Sequence, residues 1–345
     1  MAQTGLYNNT GLATMYDIAQ QLRADGKEAA AQIVELQAKT NRFWEVFPMK
    51  PCNDGTKEIA LIRTSMPDVA WRMVNRGISP TKSSVEQVAF TTGGTEAIAQ
   101  IDERLMQLNK NSNTFRLNEN YAHQEAMSQK MATTFFYGDE KLNPAGFTGL
   151  GAYYYDKANQ EEIYSNQIVD AGGTGNNLTS LWVVTFAPDT VYGIVPEGVA
   201  GGYHYRDNGR VKCRDKDGKE FWGYESQYNW DLGLCVRDPR YVARLANIDV
   251  TKTSDMELID KLIEVYDCIE NPDHGRTVIL CNRKVQTLIN IIAQKKNNVN
   301  LTLEDFGGKR IQHFWGSPIL RNDAILGTES QVPVDKEVKD DGSND

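Results

Sequence analysis

The sequence predicts a mixed α+β fold in which a long polar hairpin leads into one long helix and a separate α/β segment follows. Residues 57–65 and 85–92 alternate between apolar and polar side chains, which is the period of a β-strand. Residues 255–320 have the order helix, buried strand, helix and strand, which is typical of an α/β layer. The hairpin at 50–101 has too little apolar content to bury itself, so it needs the surface of another molecule. This pattern indicates a subunit of an assembly.

Composition limits the class of partner. The chain has 345 residues, enough for two subdomains, and a formal net charge of −9. Sequence-independent binding of nucleic acid needs a surplus of Lys and Arg, so this charge argues against such binding as the main activity. A local basic patch stays possible. The residues at 329–345 are rich in Asp and Glu, and we expect them to form a disordered acidic tail.

Cysteine usage and the lack of a leader favour a protein that is soluble and cytosolic when made. The five cysteines are widely spread and no Cys-x-x-Cys occurs, so neither a disulfide framework nor a zinc site is expected. We see no basic and apolar leader segment and no apolar run of the roughly 20 residues that span a bilayer. We expect no metal, no organic cofactor and no membrane partner.

The N-terminal part predicts an arm and an aromatic anchor. Residues 1–12 are small and polar, and 13–39 carry an apolar stripe at helical spacing. Phe43, Trp44 and Phe47 follow, and we expect them to dock the arm by aromatic burial on the same subunit or on a neighbour.

The hairpin comes next, and its second strand continues through Gly93 and Gly94 towards Ile101. Trp71, Arg72 and Arg76 lie in the connection between its strands. We take these three, together with Phe43, Trp44 and Phe47, as candidates for contact between subunits.

A long helix is predicted at 114–137, ended by Gly138 at the position of a C-terminal cap. Its apolar side is expected to consist of Leu117, Tyr121, Ala122, Ala126, Met127, Met131 and Phe135.

The middle of the chain predicts strands at 181–186 and 191–195, then a meander with tight turns at Asn208-Gly209 and Asp217-Gly218. Residues 203–230 interleave basic and aromatic side chains, which could indicate a sheet that binds single-stranded nucleic acid. Nearby Asp and Glu residues offset most of that charge, so cross-strand aromatic pairs are the favoured interpretation.

Two further patterns suggest chemistry only weakly. The Gly-rich segment 172–177 lacks a following Gly-Lys-Ser/Thr and a helix, so a surface loop is favoured over a phosphate site. The four histidines show no ligand spacing, and solvated surface is the default for His123.

The order of elements resembles that of tailed-bacteriophage major capsid proteins with the Hong Kong 97 fold. Two short motifs are similar to those of podovirus-type members: Asn-Pro-Ala-Gly-Phe-Thr-Gly-Leu at 143–150, and Tyr-Asn-Trp-Asp-Leu-Gly-Leu at 228–234 with Asp-Pro-Arg at 238–240. In the usual order the Trp-Gly-x-Pro strand precedes the long strand. Here it comes last, at 315–318, which predicts a permuted topology.

The resemblance implies a Hong Kong 97-like capsid fold with an N-terminal arm, an extended E-loop hairpin, a long spine helix, a P domain and an A domain. A permuted chain places the strand at 230–236 in the P domain beside the spine helix, and the helices at 255–270 and 283–296 together in the A domain. The implied segments are an arm at 1–49, the E-loop at 50–101, a P domain at 102–160 and 222–250 with the spine helix at 114–137, an A domain at 161–221 and 251–328, and the acidic tail at 329–345.

The implied function is structural. A member of this family self-assembles through hexamers and pentamers into an icosahedral viral shell that encloses double-stranded DNA without sequence specificity. Scaffolding, portal and cement proteins are further partners, and the chain belongs to the virion and, during assembly, to the host cytoplasm. A nanocompartment shell of the same fold stays open. The alternative from another class is a soluble α/β enzyme or ligand-binding protein that uses 251–330, with the Gly-rich segment as a ligand site; it leaves the hairpin unexplained.

Overall fold

The computed structural model describes residues 41–108, 112–158, 161–198, 203–251, 255–294, 301–306 and 309–334. The predicted arm and helix at 1–39 and the tail from 335 onwards lie outside these residues. The described chain divides into two compact units. The first contains Gly94–Ala132 and residues 203–231, and the second contains residues 41–93, 133–198 and 232–334.

The structure confirms the mixed α+β class. The strands are β1 (Met49–Pro51), β2 (Lys57–Ser65), β3 (Ser84–Asp102), β4 (Ile168–Asp170), β5 (Thr179–Phe186), β6 (Val191–Val195), β7 (Tyr203–Arg214), β8 (Glu220–Val236), β9 (Val242–Ile248), β10 (Arg276–Cys281), β11 (Leu301–Phe306), β12 (Lys309–Phe314) and β13 (Ser317–Arg321). The helices are α1 (Glu103–Leu108), α2 (Ser112–Tyr137), α3 (Leu150–Tyr153), α4 (Glu162–Ser165), α5 (Asp255–Asp267) and α6 (Arg283–Gln294). Short 3-10 helices lie at Arg42–Glu45, Pro239–Tyr241 and Pro272–His274.

The second unit is built on a mixed sheet whose central strands are buried. Its strand order is β11-β12-β13-β10-β5-β6-β8, with β9 also pairing with β5, β4 with β9, and β1 with β6. Every residue of β5, β6 and β9 is buried, so these strands form the core. The helix α5 packs on β4 and β9, and α6 packs against α5 and β13. The predicted α/β segment is therefore present.

The first unit is built on the hairpin of β7 and β8, with β3 next to β8. Tyr205 and Tyr228 are cross-strand partners whose ring centroids lie 5.2 Å apart, and the ring of His123 stacks on Tyr228 at 6.3 Å. Tyr228 also packs with Ala99 and Met127. The cross-strand aromatic pair is confirmed. His123 is half-buried against it, which corrects the expectation of a solvated position.

One predicted turn is a bulge instead. The register of β7 against β8 shifts between Asp207 and Gly209, so Asn208 is the extra residue. Gly209 has φ +67°, a left-handed conformation that glycine adopts freely and that many bulges require. The Asn-Gly pair therefore predicted a positive φ angle correctly, but the strand continues through it and does not end there. Asp217-Gly218 does lie in the turn, where the Gly218 N–H donates to the Asp215 carbonyl oxygen at 3.1 Å.

The helix α2 confirms the predicted long helix, but the buried side differs. Its buried residues are Met127, Met131, Ala132, Phe135 and Phe136. Tyr121 is 62% exposed, and Ala122 and Ala126 are exposed as well, so the prediction was wrong for these three. The side chain of Leu117 lies outside the described residues. A spacing of four connects 127, 131 and 135 along one stripe, whereas 122 and 126 belong to a neighbouring stripe.

The predicted domain boundaries cut across the two units and stay predictions. Trp230, near the centre of β8, packs with Ala97 and Met127 in the first unit. Cys235, near the end of the same strand, packs with Tyr192 and Ile194 in the second unit. The strand at 230–236 is therefore shared between the units.

A buried ion pair holds the C-terminal segment in the second unit. The Glu329 carboxylate accepts hydrogen bonds from Arg244 at 2.8 Å, from Ser180 and from Tyr137. Arg244 also donates to the carbonyl oxygen of Tyr154 at 2.7 Å. The side chains of Arg244 and Glu329 are each 7% exposed. Burial, and then the neighbouring carboxylate, raise the pKa of Tyr137 well above its usual value.

The segment after Glu329 is fixed too. Asn247 accepts a hydrogen bond from the Val332 N–H at 2.8 Å and donates to the Val332 carbonyl oxygen at 3.1 Å. Placing Glu329 in the acidic tail was therefore wrong, because its charge is compensated in the core rather than solvated.

Glycines allow the loop after α2 to return against the helix end. The Gly149 N–H donates to the Gly138 carbonyl oxygen at 2.9 Å. A Cβ on Gly149 would lie 2.7 Å from the Phe135 carbonyl oxygen and closer still to that of Thr134. Both obstacles are backbone atoms, which cannot move aside as a flexible side chain does.

We therefore expect Gly149→Ala to lower the free energy of unfolding of the subunit by about 1–3 kcal/mol, the usual cost of overpacking. The matched control is Gly77→Ala, since a Cβ on Gly77 meets no described heavy atom within 4 Å. Urea denaturation of the two purified variants measures the difference. Equal midpoints for both variants would contradict the close packing of this loop.

Candidate interaction surface

The base of the hairpin is anchored in the second unit. Strands β2 and β3 pair antiparallel from Lys57↔Thr91 to Ser65↔Ser84. Ala60 and Phe90 are buried in a cluster with Cys52, Tyr192, Ile194 and Cys235. The strand ends near this cluster are therefore held by apolar packing, as in an ordinary sheet.

A buried carboxylate adds polar contacts at the same place. Glu58 is 3% exposed and accepts hydrogen bonds from Tyr192 Oη at 3.0 Å, from Asn53 N–H at 2.9 Å and from Lys50 Nζ at 3.4 Å. These contacts join β2 to β6, to β1 and to the segment after β1. The hairpin base is thus fixed by both packing and hydrogen bonding.

The far end of the hairpin is different, because residues 66–83, which we call the hairpin tip, expose large apolar side chains. Trp71 is fully exposed at 103% and Val74 is 89% exposed. The other exposed apolar residues of the tip are Val69, Met66, Met73 and Ile78. Grouped exposed apolar side chains mark interaction sites in soluble proteins.

A local turn orders part of the tip. The Arg76 N–H donates to the Met73 carbonyl oxygen at 3.2 Å, and Asn75 has φ +64°. Arg72 Nε donates to the carbonyl oxygen of Arg76 at 3.1 Å. The turn leaves the side chains of Trp71 and Val74 exposed. The tip also carries Arg72, Arg76 and Lys82 against Asp68, so it is basic in a chain of net charge −9.

The structure places the predicted contact residues in two separate groups. Trp71, Arg72 and Arg76 lie together in the exposed tip. The sequence analysis did not identify Met66, Val69, Met73, Val74 and Ile78 as contact candidates. Met66, Val69 and Met73 have the i, i+3, i+7 spacing of a helical stripe, yet the structure has no helix at 66–83 and leaves these side chains exposed.

The aromatic anchor belongs to the second unit's own core. Phe43 stacks on Phe135 at 4.5 Å, and Phe47 meets Phe186 edge-on at 5.5 Å. Phe43 is 0% and Phe47 is 7% exposed. The sequence left open whether these rings dock on the same subunit or on a neighbour. The structure shows them packed within the same chain. Such buried rings leave almost no surface for another subunit, and a contact of Phe43 or Phe47 with a second copy stays a prediction. Trp44 is half-buried beside Phe43.

The remaining candidates carry little chemistry. The Gly-rich segment 172–177 runs directly into β5 rather than into a helix, so it lacks the context of a phosphate loop. Within the described residues, no group of three or more His, Cys, Asp or Glu is placed to hold a metal ion. Burial raises the pKa of Cys281 to about 12 and that of Cys52 and Cys235 to about 11, so these thiols are protonated at neutral pH. The helices in the described part of the chain include none long and apolar enough to cross a membrane.

Comparison with known proteins agrees with this picture. Residues 25–333 match the family model described as major capsid protein GP7. A chain in the near-atomic cryo-EM structure of bacteriophage Epsilon15 is 32% identical, with a TM-score of 0.70, and the match covers 96% of this chain and 99% of that one. The bacteriophage JBD30 capsid matches with 12% identity and a TM-score of 0.51 over 84% of this chain and 93% of that one, which shows a shared fold. The comparison with curated proteins gave no match.

The fold and the exposed hairpin tip therefore define a structural, shell-forming protein of the Hong Kong 97-like class. The chain belongs to the major capsid protein GP7 family, and its place is the virion of a bacteriophage. The comparisons give no support to an enzyme built on 251–330.

Proposed function

We propose that this chain assembles through hexamers and pentamers into a closed icosahedral shell around double-stranded DNA, with the hairpin tip as a principal contact between subunits. The observation that carries the proposal is the exposed apolar surface of the tip. Trp71, Met73 and Val74 cost free energy while they face water, and a second subunit that covers them recovers it. Identical subunits that pack head to tail form a ring when the rotations between successive subunits add up to a full turn.

The position of the tip in the hairpin supports the same proposal. The base is fixed by the cluster around Phe90 and by the Glu58 contacts. A rigid base holds the tip in one direction before a partner arrives, which lowers the entropy lost on binding. Trp and Arg, both present in the tip, are the residues most enriched at the energetic centres of protein interfaces.

The further partners belong to the proposal as well. Scaffolding, portal and cement proteins act on the shell, and assembly takes place in the host cytoplasm. Packaged double-stranded DNA is enclosed without sequence specificity, and the net charge of −9 means that no general excess of cations binds it to the shell. We propose the segments that the resemblance implies: an arm at 1–49, the E-loop at 50–101, and P and A domains with the bounds predicted from the sequence.

Limited proteolysis tests the contact of the tip. We expect trypsin to cut after Arg72 or Arg76 in the free subunit, because both lie in an exposed connection, and to spare both in assembled particles. Mass spectrometry of the fragments identifies the sites, and exposed Lys216 in the turn between β7 and β8 reports general access of the protease. Equal cleavage at Arg72 and Arg76 in both states would contradict burial of the tip.

A further inference from the structure

The turn between β12 and β13 holds a tryptophan in strained backbone. The φ angle is +47° at Trp315 and +81° at Gly316. A two-residue turn with positive φ at both positions favours Asn-Gly, and a bulky side chain at the first position crowds its own backbone. Strain of this kind persists only where the surroundings enforce it, and it concentrates at functional positions. Trp315 is therefore a residue that the turn itself does not favour.

The ring of Trp315 is held firmly but is not buried. It stacks on Phe314 with ring centroids 5.0 Å apart and meets Tyr266 edge-on at 5.5 Å. Tyr266 is fixed in turn by a hydrogen bond of 2.9 Å between its hydroxyl and that of Ser317. Even so, 46% of Trp315 stays exposed. The result is a rigid apolar surface rather than a complete core contact.

Acidic side chains line the helix that ends beside this ring. Glu257, Asp260, Glu264 and Asp267 are exposed along one face of α5, and Asp267 directly follows Tyr266. The C-terminal end of a helix favours cations and disfavours carboxylates. Residues 264–267, all of them described, include no Lys or Arg. Asp267 therefore lies where the field of its own helix opposes its charge.

The helix α6 shows the opposite mismatch. It begins with Arg283 and Lys284, both exposed, and residues 283–286 include no Asp or Glu. The N-terminal end of a helix disfavours such cations. Strands β10 and β13 run parallel, with Ile279 beside Ile319. Because Trp315 precedes β13 and Arg283 follows β10, the two mismatched charges lie at opposite ends of the same α/β layer.

We propose that the surface formed by Trp315 and Asp267 binds the Arg283–Lys284 start of α6 from a second copy of this chain. This inference rests on the proposed function, because it needs contact between copies. A guanidinium fits both parts of the surface, since it pairs with a carboxylate and stacks on an indole face. The C-terminal end of α5 then meets a cation, and the N-terminal end of α6 meets a carboxylate, as the helix dipoles favour. Complementary ends on one chain make a head-to-tail contact, the kind that generates rings.

A charge swap in the full-length chain tests the proposal. Asp267→Lys and Arg283→Glu, each alone, are expected to lower the fraction of subunits in rings or shells by about tenfold at about 0.15 M ionic strength. The two substitutions combined restore that fraction to within about twofold. Sedimentation velocity and negative-stain microscopy give the fractions. The matched control is Asp260→Lys, which changes the same kind of charge two turns away on α5 and is expected to assemble normally.

A second variant separates assembly from folding. Trp315→Asn places a residue that tolerates positive φ in the turn, so the subunit is expected to stay folded by circular dichroism while assembly falls by about tenfold. Full assembly of Trp315→Asn overturns the proposal, and so does a combined charge variant that assembles no better than either single one. The hairpin tip is tested by its own variants, so these results overturn this contact alone and leave the proposed function standing.

Discussion

Replacing Trp71 by alanine is expected to lower the yield of assembled particles by more than about tenfold while the subunit keeps its fold. Trp71 is fully exposed in the chain, so its removal costs the subunit no packing. In the shell, truncation of a buried interface tryptophan typically costs about 2–4 kcal/mol, and about 1.4 kcal/mol already changes a binding constant tenfold. The cost recurs in every subunit of a closed shell, which makes assembly steeply sensitive to it.

Two controls make this result specific. Trp71→Phe keeps an aromatic ring and is expected to retain most of the yield. Leu142→Ala removes another highly exposed apolar side chain, 86% exposed and outside the hairpin tip. Particle yield is measured by sedimentation velocity, and subunit folding by circular dichroism and thermal unfolding. A normal yield for Trp71→Ala would exclude Trp71 as an anchor.

Replacing Arg244 by alanine is expected to lower the free energy of unfolding of the subunit by about 3–5 kcal/mol, because it leaves the Glu329 carboxylate buried without its partner. Arg244 also donates to Ser180 Oγ at 3.0 Å and lies over the ring of Trp182 at 5.0 Å, so packing is lost as well. Urea denaturation followed by tryptophan fluorescence gives the free energy.

Arg237→Ala is the matched control, since Arg237 is exposed a few residues away and surface substitutions usually change stability by less than about 0.5 kcal/mol. The pair Arg244→Met with Glu329→Leu gives a further check. Removing both charges together is expected to cost less than removing Arg244 alone, because no unpaired charge then remains. A loss below about 1 kcal/mol for Arg244→Ala would show that the ion pair does not hold the C-terminal segment.

Features set by local periodicity were predictable from the sequence. The alternation at 57–65 gave β2 with the bounds that the structure has, and the helical spacing around 127–135 gave α2. The residue before α6 carries another local signal, because Asn is a preferred N-cap residue and Asn282 accepts the Val285 N–H at 2.9 Å. Each of these signals depends on residues within about one turn or one strand, which a sequence displays directly.

Features set by contacts between distant segments were not predictable. Glu329 resembles its acidic neighbours in sequence. Its contacts with Arg244, 85 residues away, and with Ser180 and Tyr137 make it a core residue. The sequence predicts that Phe43 anchors an arm, yet in the structure Phe43 packs on Phe135 and Phe136 within the same unit. Met127 of α2 is buried against Tyr228 in β8, with Trp230 beside them, which no pattern in the helix could reveal.

The function proposed for the hairpin tip requires that another copy of this chain covers it in the shell. A cryo-EM map of the assembled particle tests it most directly, at a resolution that shows side chains. We expect Trp71, together with Met73 or Val74, to lie within about 4 Å of apolar atoms of a neighbouring subunit. A map in which residues 66–83 face solvent, with no neighbouring subunit in contact with Trp71, would contradict it.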